Sequence, residues 1–389
     1  MDELIPGLLL RAQIFDQWHI WLAEFWPVAI AKGSIKVHGD CPDTNPDDLL
    51  GNALTDMVFE KAKNGNTMTK AVIILPVLLL FLLFLSSCVK TPDNVDTDHA
   101  EESLEYTYEV YDLKRNGYKL HLDSMKMTGT QPEKNILLIH GVTYSSHEFD
   151  VDYEDYSLVR ALAREGYMVW RLDITGFGQS DAVTDGFLPD SDYAAEDINA
   201  TVDKILEVTG EEAIDLLGWS WGTVTVSRYA VKHPDHINKL VLYAPIISGI
   251  GEYELKEPFH KNTWEHAAED FQRDDSGGYD LEIADPVVIN ILCSNSWRYD
   301  GENSPNGGRR DLCVSDSVKL IDFSALKMPT LVIYGDRDPY INFECIDDEA
   351  EFLPEGSSVE VIPGASHVAF IEKPYHRDFQ ERVFRFLSD

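Results

Sequence analysis

Ile214-Asp215-Leu216-Leu217-Gly218-Trp219-Ser220-Trp221-Gly222-Thr223-Val224 is the stretch whose reading settles the architecture. Its opening apolar run is short and dense, as in a strand buried on both faces. From Trp221 to Lys232 the residues read as a helix. Between them stands Gly218-Trp219-Ser220-Trp221-Gly222, a G-x-S-x-G pentapeptide with strand before it and helix after it. So sharp a turn holds the serine in a strained backbone conformation, and the two glycines remove side chains that would collide there. Ser220 is thereby presented at a helix N-terminus, where the dipole and the free amides favour negative charge.

Outward from this stretch the same alternation repeats. Ile136–Ile139, Met168–Leu172, Leu240–Tyr243, Leu331–Tyr334 and Val359–Ile362 are further continuous apolar runs. Tyr156–Glu165, Ala194–Thr209 and Phe379–Leu387 are further helical segments, and Tyr118–Leu122 alternates as an antiparallel strand after a turn at Asn116-Gly117. Strand and helix in repeated succession predict an α/β fold with a doubly wound, mostly parallel sheet covered on both faces. The beat breaks over residues 246–325, which lack strand runs and are rich in Gly, Asp, Asn and aromatics. That is too long for an ordinary connection, and it reads as an inserted cap over the carboxyl ends of the strands, where open sheets bind ligands.

A serine hydroxyl is a poor nucleophile until a base takes its proton. His367 lies in the loop after the last predicted strand, in position to be that base. Gly335-Asp336-Arg337-Asp338-Pro339 follows the preceding strand and offers two partners for the imidazole. Asp338 is taken as the acid, with Asp336 capping the turn. An oxyanion also needs donors. The amide of Trp221 is one, and the loop Ile139-His140-Gly141-Val142-Thr143 supplies the other from Val142, with His140 expected to brace the loop.

Together with the segment Asp173-Ile174-Thr175-Gly176-Phe177-Gly178-Gln179-Ser180, a D-x-x-G-x-G-x-S match, these motifs make residues 108–389 resemble an α/β-hydrolase fold enzyme. The resemblance implies a Ser220, His367 and Asp338 triad with an oxyanion hole at Val142 and Trp221. It implies a lipase- or esterase-like enzyme that cleaves carboxylic esters through an acyl-enzyme. An aminopeptidase, amidase or carbon–carbon hydrolase would use the same residues. Relatives with an aspartate nucleophile, such as haloalkane dehalogenases and epoxide hydrolases, are disfavoured by Ser220, and a non-catalytic binding module by the intact set of three. No Cys/His/Asp grouping has metal-ligand spacing, and Gly176 and Gly178 do not form a dinucleotide fingerprint, so no metal and no cofactor are expected.

The cap carries Trp264, Phe271, Tyr279, Trp297 and Tyr299 among many acids. These aromatics either line a lid suited to neutral or cationic substrates or form the small core of the cap. Cys293 and Cys313 both fall in the cap, either as a disulfide that export would permit or as two buried thiols, and Cys345 is left unpaired.

Of the 389 residues, 44% are apolar, which excludes wholesale disorder; 68 Asp and Glu against 32 Lys and Arg give a net charge of −36. That charge argues against nucleic acid or an anionic lipid surface as the main partner and leaves a catalytic or ligand-binding role, for which the resemblance implies a small-molecule or lipid-like ester. Ala71–Leu85 is uniformly apolar, too short for a membrane span of about 30 Å and suited to the core of a secretory signal. Leu85-Ser86-Ser87-Cys88 resembles a bacterial lipobox, which implies lipid attachment at Cys88. The expected organisation is an upstream extension over residues 1–67, with translation starting at Met68, then a lipoprotein signal over 68–87. An acidic tether over 88–107 and the hydrolase domain over 108–389 follow. The product would be an exported lipoprotein anchored to a membrane, periplasmic or at the cell surface.

Overall fold

The computed structural model describes residues 105–388. The upstream extension, the signal segment, Cys88 and most of the tether lie outside the described residues. Among the described residues no helix is long and apolar enough to cross a membrane.

The domain begins as a hairpin. β1 (Tyr106–Arg115) and β2 (Tyr118–Met127) pair antiparallel across Asn116 and Gly117, whose φ of 50° and 88° suit a two-residue hairpin turn. The strand thus takes the last two residues expected in the tether. Along the chain follow β3 (Lys134–Ile139), α1 (Leu158–Arg164), β4 (Tyr167–Asp173), α2 (Ser191–Thr209), β5 (Ile214–Trp219), α3 (Trp221–Lys232) and β6 (Ile237–Tyr243). In the cap lie β7 (Phe259–Lys261), α4 (Pro286–Tyr299), β8 (Asn303–Pro305) and α5 (Gly307–Leu312). The domain closes with β9 (Thr330–Gly335), α6 (Phe343–Glu349), β10 (Ser358–Ile362) and α7 (His376–Ser388).

Eight strands form one sheet in the order β1-β2-β4-β3-β5-β6-β9-β10, with antiparallel pairing at β1/β2 and β2/β4 and parallel pairing elsewhere. This is the α/β-hydrolase fold. Every residue of β5 and β9 is buried, as strands covered by helices on both faces must be. Each large apolar side chain so buried contributes about 1.5–3 kcal/mol. Helix α2 shows how the helices are bounded. Asp190 caps its first turn by accepting from the amide of Tyr193, and Gly210, at φ 77°, ends it in the left-handed conformation.

Register brings the loops of interest together. From β3 the chain turns to β4 on one side, then crosses to β5 on the other, so the loops after β3 and β5 leave in opposite directions and open a crevice. Ile139 stands opposite Gly218 in the sheet, which aligns the loop after β3 with Ser220. Gly335 stands opposite Ile362, which aligns the loop carrying Asp338 with that carrying His367.

The cap does contain strand, contrary to the sequence expectation: Phe259 and Pro305 begin the three-residue antiparallel pair β7/β8. So short a run carries no readable periodicity. Its aromatics divide differently from a lid. Phe271 is buried edge-on to Tyr279 in the core of the cap, Tyr299 stacks on His147, and Trp264 and Trp297 are exposed.

Candidate active site

Ser220 sits where β5 gives way to α3, at φ 56° and ψ −124°, a conformation that side chains other than glycine's rarely adopt. The backbone around it is clamped. Its amide donates to Tyr243 O at 3.0 Å, and its carbonyl accepts from the amide and hydroxyl of Thr223 at 2.9 and 2.5 Å. Both flanking glycines are required by contact: a Cβ at Gly218 would lie 2.5 Å from Gly222 O, and one at Gly222 would lie 2.5 Å from Ile139 O.

His367 is 3% exposed, and its Nδ1 donates to Asp338 Oδ2 at 2.7 Å. That bond fixes the tautomer and leaves Nε2 as the basic nitrogen. Burial opposes charging the ring, but the field and the hydrogen bond of Asp338 outweigh it, so the His367 pKa is raised above 6.5. Asp338 Oδ1 in turn accepts from the amide of Tyr340 at 2.9 Å. Of the two aspartates in this loop, Asp338 therefore reaches the imidazole, whereas Asp336 accepts from Gly364 N at 2.6 Å and ties two loops together. The carbonyl of His367 is held from behind by Trp219 Nε1 at 3.1 Å and Tyr243 Oη at 2.9 Å, two anchors not foreseen from sequence.

The loop after β3 lies against Ser220, since a Cβ at Gly141 would stand 3.5 Å from the serine Cβ. Val142 lines the same cavity as Ser220 and His367. The ring of Trp221 is buried outside the lining of this cavity and donates to Ser191 Oγ at 2.9 Å. His140 braces the loop as expected. It accepts from Ile174 N at 3.1 Å and meets Gly141 O at 2.7 Å, and full burial lowers its pKa, so it stays neutral. In the D-x-x-G-x-G-x-S segment, Asp173 accepts from Ser146 N, Ser146 Oγ and Gln179 N, which locks the loops after β3 and β4 together.

The cavity measures about 420 Å³. Aliphatic side chains such as Ile246, Ile250, Leu255 and Leu292 share its wall with Tyr144, Tyr253 and Tyr340. It also holds Glu148, Glu269, Asp270 and Arg309, none of which the sequence singled out. Glu148 is 4% exposed, pairs with no cation among the described residues, and burial drives its carboxyl well above the usual range. Asp270 is raised too, chiefly by burial, and accepts from Tyr340 Oη at 3.0 Å. Arg309 enters from the cap and donates to Thr143 Oγ1 at 2.5 Å. A larger depression of about 600 Å³ lies over β1 and β2, lined by Arg171, Asp123 and Asp150, but these charges are paired with one another and none of the predicted site residues is there.

Of the two alternatives for Cys293 and Cys313, the structure has the second: both are buried, unbonded thiols.

A family profile described as serine aminopeptidase, S33 matches residues 130–374, more than half of the chain. Epoxide hydrolase 3 of Xenopus tropicalis is 22% identical over 303 residues, covering 70% of this chain and 77% of that protein. Lipase 1 of Psychrobacter immobilis is 23% identical over 309 residues, covering 75% of this chain and 90% of that protein. Among solved structures, the enol-lactonase from Burkholderia xenovorans LB400 matches with a TM-score of 0.53 at 19% identity, over 72% of this chain and 100% of that one, a likeness of fold. The chain belongs to the serine aminopeptidase, S33 family of α/β-hydrolases.

Proposed function

We propose that the protein is a serine hydrolase of carboxylic esters. One observation carries the reading: Ser220, in a strained turn, faces the same cavity as His367 paired with Asp338. Ser220 Oγ attacks the ester carbonyl while Nε2 of His367 takes its proton, and the imidazolium passes that proton to the leaving alkoxide. Asp338 stabilises the imidazolium without itself being protonated. The amides of Val142 and Trp221 meet the oxyanion, and water then releases the acid from the acyl-enzyme by the same proton route. The aliphatic wall suits a small or lipid-like ester, and likeness to a lipase supports the choice of bond. Ser220→Ala is expected to abolish both hydrolysis of p-nitrophenyl esters and labelling by a fluorophosphonate probe; labelling that persists in the variant refutes Ser220 as nucleophile.

A second reading, an aminopeptidase, keeps the same residues and has the family description in its favour. Amino-acid p-nitroanilides assayed beside the esters separate the two, and faster amide turnover would replace the ester reading. The proposal extends to location: an exported lipoprotein acylated at Cys88, supported by the apolar run Ala71–Leu85 and the Leu85-Ser86-Ser87-Cys88 motif. Labelled palmitate is expected in the native protein and absent from Cys88→Ser. Equal incorporation in both would overturn it.

A further inference from the structure

Helix α5 opens with two glycines, and both are pressed against the body of the domain. A Cβ at Gly307 would stand 2.6 Å from Pro189 C, and one at Gly308 would stand 2.4 Å from the indole of Trp221, the residue after Ser220. No other side chain fits at either position. The contact fixes where the next residue, Arg309, enters the cavity.

The guanidinium of Arg309 is held by neutral groups only: Thr143 Oγ1 at 2.5 Å, Asn306 Oδ1 at 3.2 Å and Ser304 Oγ at 3.3 Å. Among the described residues no carboxylate lies within ion-pairing distance of it. Glu269 shares the cavity but is bound to His266 at 2.8 Å. Asp270 acts on His367, whereas the groups that act on Arg309 are Tyr253, Tyr144, Glu269 and Cys313. Burial lowers the Arg309 pKa to about 10, so the group is still a cation at neutral pH.

A half-buried cation in a cavity wall with no carboxylate paired to it is costly to maintain unless a ligand supplies the anion. A guanidinium is also a planar fork that matches a carboxylate with two parallel hydrogen bonds. We infer that Arg309 is the receptor for an anionic group on the substrate, so that the enzyme's substrates are acyl esters with an aliphatic body and a carboxylate remote from the scissile bond. The choice of ester rests on the function proposed above; the anion site does not.

The test uses the full chain and pairs of p-nitrophenyl esters of equal length, one a half ester of a dicarboxylate from succinate to suberate, the other ending in methyl. The wild type is expected to favour the anionic member of at least one pair by about ten- to a hundredfold in kcat/KM. In Arg309→Met that ratio falls to about one, and Arg309→Lys lies between. Arg310→Met, which removes a neighbouring arginine outside the cavity, keeps the wild-type ratio. No preference in the wild type, or equal losses on both esters in Arg309→Met, overturns the inference and leaves Arg309 as a support for Thr143. If no ester is turned over, titration calorimetry of Ser220→Ala with the free dicarboxylates decides separately. Binding that Arg309→Met removes sustains the anion site while the ester reading fails, and absence of binding refutes the site.

Discussion

Asp338 divides its carboxylate between two partners, accepting a hydrogen bond from Nδ1 of His367 on one oxygen at 2.7 Å and from the amide of Tyr340 on the other at 2.9 Å. The second bond aims the first. On the proposed mechanism the free enzyme needs a neutral imidazole, and its pKa is raised above 6.5. The acid limb of kcat/KM for a p-nitrophenyl ester is therefore expected above pH 6.5, with activity falling as pH drops through it. Asp338→Asn is expected to lower kcat by about ten-thousandfold, because an amide favours the wrong tautomer. A limb at or below 6.5, or a loss under about tenfold, would count against the pairing.

Glu148 makes a prediction about stability. Its carboxyl is raised well above the ordinary value by burial, with Asp300 and Asp270 adding to the shift. The folded state thus holds the proton more tightly than the unfolded chain. The group favours folding fully below the unfolded pKa, and that contribution is lost as pH climbs toward the folded value. Glu148→Gln is expected to gain stability relative to the wild type by about 1.4 kcal/mol per pH unit across that window. Thermal melts from pH 4 upward that show a constant difference would refute the assignment.

Asp300, the residue closing α4, latches the cap to the body. Its side chain accepts from Ser145 N, Ser145 Oγ and His147 Nε2 on one oxygen and from Gly178 N on the other, at 3.2, 3.1, 2.8 and 2.9 Å. Asp300→Ala leaves these donors unpaired in the interior and is expected to cost about 3 kcal/mol. Hydrogen exchange should quicken in the loop carrying Ser145 and His147 before it does in β5. Uniform quickening across the sheet would mean a general loss of stability instead.

The thiols of Cys293 and Cys313 are unbonded and buried. Reducing agent is expected to leave Tm unchanged within about 1 °C, with both thiols labelled only after unfolding. A disulfide there would contribute about 3 kcal/mol, so a fall of several degrees on reduction would reveal one.

What the sequence determined by itself is local. Buried runs such as Leu216-Leu217, the change of period at Ser220, the glycines about the turn and the succession Ser220, Asp338, His367 are properties of neighbouring residues, and steric rules act at that range. The long-range relations were decided only by the tertiary structure. Asp336 and Asp338 are two residues apart in similar surroundings, and it is the alignment of Gly335 with Ile362 and the amide of Tyr340 that give the imidazole to Asp338. Nothing in Gly307-Gly308-Arg309 announces a cavity. Only the closure of α5 onto Trp221 puts a cation there, as only burial without a counter-charge sets Glu148 apart from the many solvated acids of the chain. Charge and aromaticity are written in the composition, but whether a group meets water, a partner or an enclosed space depends on packing between segments a hundred residues apart.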